Sequence, residues 1–262
     1  DSYARRFEVR DLYEGSLYAY LMVAMLNTVL PYIGFLGGYL NRKFYIAIAV
    51  LGCLFFYWLA GNKAQFLWAV VGISFGIICR NQSSTKNLQQ FLFLAVRLII
   101  LILIIEFFIF DGYSPISDFF LRRMFVLSAQ TQGYYYDAIL SNQIAGWTPF
   151  LGGVENGPFY ISETYFNRPE VRANTSGFLH IFLERGIFGY IFTVTLAALF
   201  LRILDSLFAR SGKMDYCFLA LIFSFLITEQ KITIIFVSSG VFALFLFVSL
   251  LPRRLQSRTI KT

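Results

Sequence analysis

Residues 178–201, FLHIFLERGIFGYIFTVTLAALFL, decide the fold class that the sequence predicts. The run is mostly apolar and has the length of a membrane-spanning helix, which needs about 20 such residues. Hydrophobic residues make up 58% of the 262-residue chain and charged residues only 14%, whereas soluble domains carry about 25% charged residues. The sequence therefore predicts an all-α polytopic membrane protein.

Further apolar segments bring the prediction to about seven transmembrane helices in a single domain, 1–262. The predicted spans are approximately 17–40, 44–60, 64–80, 90–110, 178–201, 215–229 and 232–251. Residues 1–16 and 252–262 are predicted to be an outer segment and a tail, and 111–177 the long outer loop. Because the chain begins with Asp1 rather than Met, we expect it to be the C-terminal portion of a longer protein.

The distribution of basic residues predicts the orientation of these spans. Short cytoplasmic loops of membrane proteins carry an excess of Lys and Arg. The connections that include Arg42 and Lys43, together with the C-terminal tail, are the more basic set. The tail is therefore predicted to be cytoplasmic, and the loop 111–177 to lie outside, in the periplasm.

The long loop contains FLRRMFVLSAQTQGYYYD at 120–137, in which Arg122 and Arg123 precede three tyrosines. We expect 118–139 to form a helix at the membrane surface, with tyrosines either anchored at the interface or stacked on sugar faces. The arginine pair suits phosphate oxygens, which guanidinium groups bind bidentately; the alternative is contact with lipid head groups. Residues 146–160 are rich in Gly and Pro and indicate an irregular lid or crevice.

His180 is the only histidine of the chain, and Glu184 follows at the i+4 position of the same helical face. This pairing suggests general acid–base chemistry; the alternative, commoner for a lone histidine near a helix start, is a packed, hydrogen-bonded residue. No zinc ligand set, dinucleotide fingerprint or phosphate-binding loop occurs in the sequence, so we expect neither a metal nor a cofactor.

Three segments in this order resemble the Wzy-type oligosaccharide repeat-unit polymerases, which make O-antigen and capsular polysaccharide. The first is FLRRMFVLSAQTQGYYYD, similar to the outer-loop arginine segment of that family. The second is 157–189, GPFYISETYFNRPEVRANTSGFLHIFLERGIFG, with an Asn-Thr pair before an apolar stretch that ends in G-x-x-G. The third comprises FEVRDLY, Pro31 and GNKAQ in the first part of the chain.

The related O-antigen ligases usually have His-Asn before a similar helix, whereas here Ala173 precedes Asn174. The absence of that pattern favours a polymerase over a ligase. The sequence departs from the polymerase pattern at two places. Ser128 and Ala129 stand where a Pro-Gly pair is frequent, and Glu184-Arg185 occupy a segment that is often less charged, which affects the expected shape of the loop.

The resemblance implies a GT-C-like helical fold in the bacterial inner membrane, with the active site facing the periplasm. It implies metal-independent, inverting glycosyl transfer from undecaprenyl-pyrophosphate-linked oligosaccharide, with membrane lipid and a chain-length regulator protein as further partners and no nucleic acid. The alternatives are an O-antigen ligase that transfers polymer to lipid A core, and a transporter of polysaccharide or lipid-linked sugar.

The predicted site residues follow from this resemblance together with the residue chemistry. Candidate residues for pyrophosphate binding are Arg122, Arg123, Arg10 and Arg172. Candidate catalytic bases are His180, Glu155 and Glu163. Candidate sugar-binding residues are Tyr135, Tyr136 and Asn174.

Overall fold

The structure, a computed structural model, is helical wherever it assigns a regular element. It describes residues 16–60, 64–80, 93, 96–97, 100–101, 103–109, 127–142, 156–169, 173 and 176–251. Within these residues there is no β-strand, which confirms the all-α class for the described part of the chain. The helices are α1 Leu17–Tyr39, α2 Lys43–Ala60, α3 Ala64–Arg80, α4 Ser128–Asn142, α5 Gly157–Phe166, α6 Gly177–Ser211, α7 Met214–Leu226, α8 Ile232–Phe236 and α9 Val241–Leu250.

Two of these helices are long and apolar enough to cross a membrane, judged by length and composition. They are α1, with 23 residues, and α6, with 35 residues. α2, α3, α7 and α9 are apolar but shorter. Of the fourth predicted span, 90–110, the described residues are all helical.

The last predicted span, 232–251, is not one continuous helix in the structure. The structure divides it into α8 and α9, with a turn at 237–240 between them. Gly240 adopts a φ of 75°, a left-handed conformation that glycine adopts at little cost. The apolar run 232–251 does not predict this turn. Only three consecutive residues, Ser238-Ser239-Gly240, interrupt the run, which is too short an interruption to divide a predicted span.

The chain forms two compact units, each built from separate stretches of sequence. The first comprises Asp1–Ser83, Leu199–Leu226 and Thr233–Thr262. Its core includes Phe35 of α1 and Phe218 of α7, whose rings stack at a centroid distance of 4.9 Å. These two helices therefore share an aromatic core within the first unit.

Buried polar contacts fix the turn between α8 and α9 inside this first unit. α1 contains a π-helical turn at Met25–Val29. The Asn27 side chain donates from Nδ2 to Ser239 Oγ at 3.2 Å, and the Thr28 hydroxyl donates to the Ser239 carbonyl. The turn thereby obtains hydrogen-bond partners that a buried backbone requires.

The second unit comprises Ser84–Ala198 and Ile227–Ile232. It contains α4, α5, the first part of α6 and the turn that follows α7. Its core cluster brings together apolar side chains of the three helices, namely Tyr135, Ala138, Ile139, Ile161, Leu179 and Leu183. The candidate site lies at the border of this cluster.

Candidate functional site

The helix α6 is interrupted at Gly186. This residue has a φ of 64° and a ψ of −164°, a region that is essentially restricted to glycine. The residues before the break, 177–185, carry both His180 and Glu184. The helix that continues after the break is the more apolar part, so the ionisable side chains of the site lie before the break.

Glu184 is the centre of a cluster of charged and polar groups. Its Oε1 atom lies 3.0 Å from Nε2 of His180, as the i+4 spacing predicts. Lys231, in the turn after α7, donates from Nζ to Oε1 at 2.6 Å and to Oε2 at 2.5 Å. The backbone N–H of Gly157 donates to Oε1 at 3.1 Å. One carboxylate therefore ties together α6, the start of α5 and the turn at 227–231.

The contact with Gly157 places the carboxylate at the N-terminus of α5. N-terminal N–H groups of a helix lack partners within the helix, and the helix dipole favours negative charge there. Asn156 precedes the helix in a left-handed conformation and makes no side-chain cap. Glu184, although distant in sequence, supplies the partner that the local sequence does not.

Gly177 allows α6 to begin directly against the turn at 227–230. Its N–H donates to the carbonyl of Ile227 at 2.9 Å. A Cβ atom at this position would lie 2.1 Å from the carbonyl oxygen of Gln230. Gly177 thus allows close packing of α6 against this turn, whereas Gly186 serves as a helix break.

Tyr135, a predicted sugar-binding residue, is fully buried at 0% exposure. Its hydroxyl donates to the carbonyl of Ala173 at 3.1 Å, and its ring meets His180 edge-on with centroids 6.4 Å apart. Because the ring is enclosed in the core cluster, it presents no face on which a sugar would stack in this structure. Tyr136 is 53% exposed on the same helix, so its ring remains available for such a contact.

A second pair of tyrosines joins α4 to α5. The rings of Tyr134 and Tyr165 stack at a centroid distance of 4.7 Å. The Tyr165 hydroxyl donates to Oδ2 of Asp137 at 2.6 Å. The pKa of Tyr165 is raised to about 12. Partial burial is the largest cause, and the hydrogen bond to this carboxylate is the second. Tyr134 therefore packs within the protein. The helix predicted over 118–139 is confirmed from Ser128 onwards and continues to Asn142, and residues 118–126 of that prediction lie outside the described residues.

Of the remaining predicted site residues, Glu163 lies within the described part of the chain. Glu163 lies on α5, and its side chain is exposed. Glu155, Arg122, Arg123, Arg10, Arg172 and Asn174 lie outside the described residues. The structure thus brings His180 and Tyr135 together and places Glu163 on the neighbouring helix.

Lys231 and Gly157 were not predictable from the sequence as partners of Glu184. They lie 47 and 27 residues away from it in the chain, so no helical periodicity connects them. The only sequence signal for Lys231 is the short charged interruption TEQK between two apolar runs.

An apolar cleft runs along α6 just beyond the break. Its volume is about 580 Å³, and it is open to the surroundings. Arg185, the residue before the break, contributes an exposed side chain to the lining. The remaining lining residues are Phe188, Gly189, Ile191, Phe192 and Thr195.

The geometry limits what the cluster does chemically. The Glu184 carboxylate accepts hydrogen bonds from a lysine and a backbone N–H and also contacts Nε2 of His180, so it is already occupied and is poorly suited to take a proton from a substrate. Of the described candidate bases, His180 is buried and held by this carboxylate, and Glu163 is exposed.

No protein-family model, curated protein or solved structure matches this chain.

Proposed function

We propose that this protein polymerises undecaprenyl-pyrophosphate-linked oligosaccharide repeat units into O-antigen or capsular polysaccharide. The proposed reaction is inverting glycosyl transfer at the periplasmic face of the bacterial inner membrane. The observation that carries the proposal is the position of two features on one helix. In α6 the charged cluster around Glu184 directly precedes an apolar cleft that begins at Arg185.

Such an arrangement fits a substrate with two chemically different parts. A polyprenyl tail needs an apolar surface, and the exposed rings of Phe188 and Phe192 provide one beside the cleft. A pyrophosphate needs cationic hydrogen-bond donors. Arg185 is one such donor, and Arg122, Arg123, Arg10 and Arg172 are the others proposed from sequence.

In the proposed reaction the acceptor hydroxyl oxygen attacks the anomeric carbon of the growing chain. The bond between that carbon and the pyrophosphate oxygen breaks, and undecaprenyl pyrophosphate leaves with the bonding electrons. Arginines placed in advance around the leaving group stabilise the charge that develops on it. The hydroxyl proton passes to a base, for which His180, Glu155 and Glu163 are the candidates.

The principal test replaces the two adjacent loop arginines. In the native host, deletion of the gene should abolish the long-chain glycan, and the wild-type protein should restore it. Arg122→Ala together with Arg123→Ala should reduce long-chain glycan at least tenfold, since two charge-assisted contacts to the leaving group are lost. Gel electrophoresis of extracted glycan, normalised to protein level by immunoblot, gives the measurement.

Arg168→Ala is the matched control, because Arg168 is exposed and outside the proposed pyrophosphate-binding set. It should leave the ladder unchanged. A normal ladder from the double variant would remove Arg122 and Arg123 from the mechanism. Loss of polymer attachment to lipid A core in the deletion strain, with polymer itself still made, would instead identify a ligase.

A further inference from the structure

One side of α4 carries polar and aromatic side chains that take no part in the charged cluster. Gln130, Tyr134 and Asp137 stand at positions i, i+4 and i+7, which fall on the same side of a helix. Nε2 of Gln130 donates to the Tyr134 hydroxyl at 2.7 Å. Gln130 and Asp137 are exposed, and Tyr134 is partly buried. Hydrogen-bonding groups therefore flank an aromatic ring on this surface.

The helix α5 adds two aromatic rings to the same surface. The ring of Tyr165 stacks on that of Tyr134, and the ring of Phe166 meets Tyr134 edge-on at a centroid distance of 5.2 Å. Phe166 is 39% exposed. The Tyr165 hydroxyl donates to Oδ2 of Asp137 at 2.6 Å, which holds this carboxylate beside the rings. The surface formed by Gln130, Tyr134, Asp137, Tyr165 and Phe166 is called the tyrosine face below.

The chemistry of the tyrosine face matches that of a sugar. The C–H groups of a sugar ring pack against aromatic rings, whose faces are electron-rich, and its hydroxyl groups need hydrogen-bond partners around the ring. Asp137 is held through Oδ2, and its exposed carboxylate is able to accept charge-assisted hydrogen bonds from hydroxyls. The amide of Gln130 both donates and accepts. The tyrosine face thus offers an aromatic platform between two planar polar groups.

The charge of the tyrosine face argues against an anionic occupant. The Asp137 carboxylate would repel the phosphate groups of a lipid surface, because like charges at short distance destabilise each other. An apolar occupant would cover Gln130 and Asp137 without giving them hydrogen-bond partners, which costs free energy. A neutral polyhydroxylated ligand meets neither obstacle, so the observations favour a glycan.

We propose that the tyrosine face is a carbohydrate subsite, which binds the glycan part of the lipid-linked substrate away from its pyrophosphate. The identity of that glycan rests on the proposed function. The rings of Tyr134 and Phe166 contact the sugar ring, and Gln130 and Asp137 bind its hydroxyl groups. Tyr165 is a positioning residue, because it acts through the carboxylate that it holds.

The experiment measures binding of a glycan that has been freed of its lipid. Oligosaccharides of a few repeat units are released from the surface glycan of the native host by partial acid hydrolysis and separated by size. They are titrated into purified protein in lipid nanodiscs, and saturation-transfer NMR gives the Kd. The wild type should bind them. Asp137→Asn should weaken binding about tenfold, since a charge-assisted hydrogen bond is lost, and Gln130→Ala about fivefold, since a neutral one is lost.

Two control variants match these changes. Gln132 is also an exposed glutamine of α4, but it lies about 200° further around the helix axis than Gln130. Asp205 is an exposed carboxylate of α6. Gln132→Ala and Asp205→Asn should leave the Kd unchanged. All four variants should unfold at the wild-type temperature, because the hydrogen bonds of Gln130 and Asp137 lie at the surface.

Absence of oligosaccharide binding by the wild type would overturn the subsite, and so would equal binding by Gln130→Ala and Gln132→Ala. The proposed function is read separately, from the long-chain glycan of the deletion strain. Loss of that glycan on deletion, together with no binding by the wild type, would leave the polymerase in place and remove the subsite. Unchanged glycan in the deletion strain would refute the polymerase, and binding weakened by Asp137→Asn would still support a carbohydrate site.

Discussion

Gly186 is the residue on which the layout of the site depends most directly. Its backbone conformation, with φ 64° and ψ −164°, ends the helical segment that carries His180 and Glu184. A side chain at this position would clash with the backbone in that conformation. The break lets the segment before it pack against α5 and the turn at 227–231, while the following residues continue as an apolar helix.

Gly186→Ala should therefore destabilise the protein by about 1–3 kcal/mol, the usual cost of such a backbone conformation for a residue other than glycine. Thermal unfolding of purified protein in detergent gives the measurement. Gly133→Ala is the control, because a Cβ atom at Gly133 meets nothing within 4 Å and alanine favours the helical conformation of α4. Equal unfolding temperatures for Gly186→Ala and the wild type would show that the break is not required.

Individual contacts of the site were predictable from sequence only where the two residues share a helix. The i+4 spacing predicted that His180 and Glu184 meet, and their atoms lie 3.0 Å apart. Lys231 reaches Glu184 from a different part of the fold. Its contact depends on where a turn is placed by tertiary packing, which the local sequence does not encode.

Close approach of two helix backbones holds α1 against α3 in the first unit. A Cβ atom at Gly38 would lie 2.3 Å from the carbonyl oxygen of Ile73, and one at Gly76 would lie 2.2 Å from that of Phe35. Small residues at such positions let helices in membranes pack closely. The glycines of each helix are spaced for contact on one face, as Gly34 and Gly38 show in α1.

Gly38→Ala should lower the free energy of unfolding by about 1–3 kcal/mol, because the added methyl group forces the two backbones apart. Gly34→Ala is the matched control on the same helix. Its Cβ atom would come no closer than 3.1 Å, to the flexible side chain of Ile73, so a smaller loss is expected. Chemical denaturation in detergent gives both values, and the reverse order of stability would refute the packing assignment.

The apolar runs predicted the positions of the helices well where no special backbone conformation intervenes. The first predicted span, 17–40, corresponds to Leu17–Tyr39, and the second, 44–60, to Lys43–Ala60. The helix ends were predicted less well in runs that contain a glycine with a positive φ. The break at Gly186 and the turn at Gly240 lie within segments whose composition is as apolar as that of an unbroken helix.

For the molecule as a whole, the length of each helix determines whether that helix is able to cross a membrane on its own. α7 has 13 residues, which is about 20 Å at the usual helical rise. The hydrocarbon core of a bilayer is about 30 Å thick. α1 and α6 are long enough to cross it, whereas a shorter helix would need its neighbouring segments to complete a crossing. Sequence hydropathy does not distinguish these cases, because it measures composition along the chain and not where a helix ends.

The predicted orientation is open to a direct test by cysteine labelling. In a background with Cys53, Cys79 and Cys217 replaced by alanine, single substitutions are introduced at two exposed positions, Arg42→Cys and Arg168→Cys. Arg42 lies in a predicted cytoplasmic connection and Arg168 in the predicted outer loop. A membrane-impermeant maleimide should label the variant at 168 in spheroplasts and the variant at 42 only after permeabilisation.

The physical reason for this expectation is the excess of basic residues in the connections placed in the cytoplasm. Both labelling positions are exposed in the structure, so a difference between them reports the membrane barrier rather than burial in the protein. Equal labelling in permeabilised cells is the internal control. Labelling at 42 but not at 168 in spheroplasts would invert the orientation and move the Glu184 cluster to the cytoplasmic side, where the proposed periplasmic polymerisation would have no site.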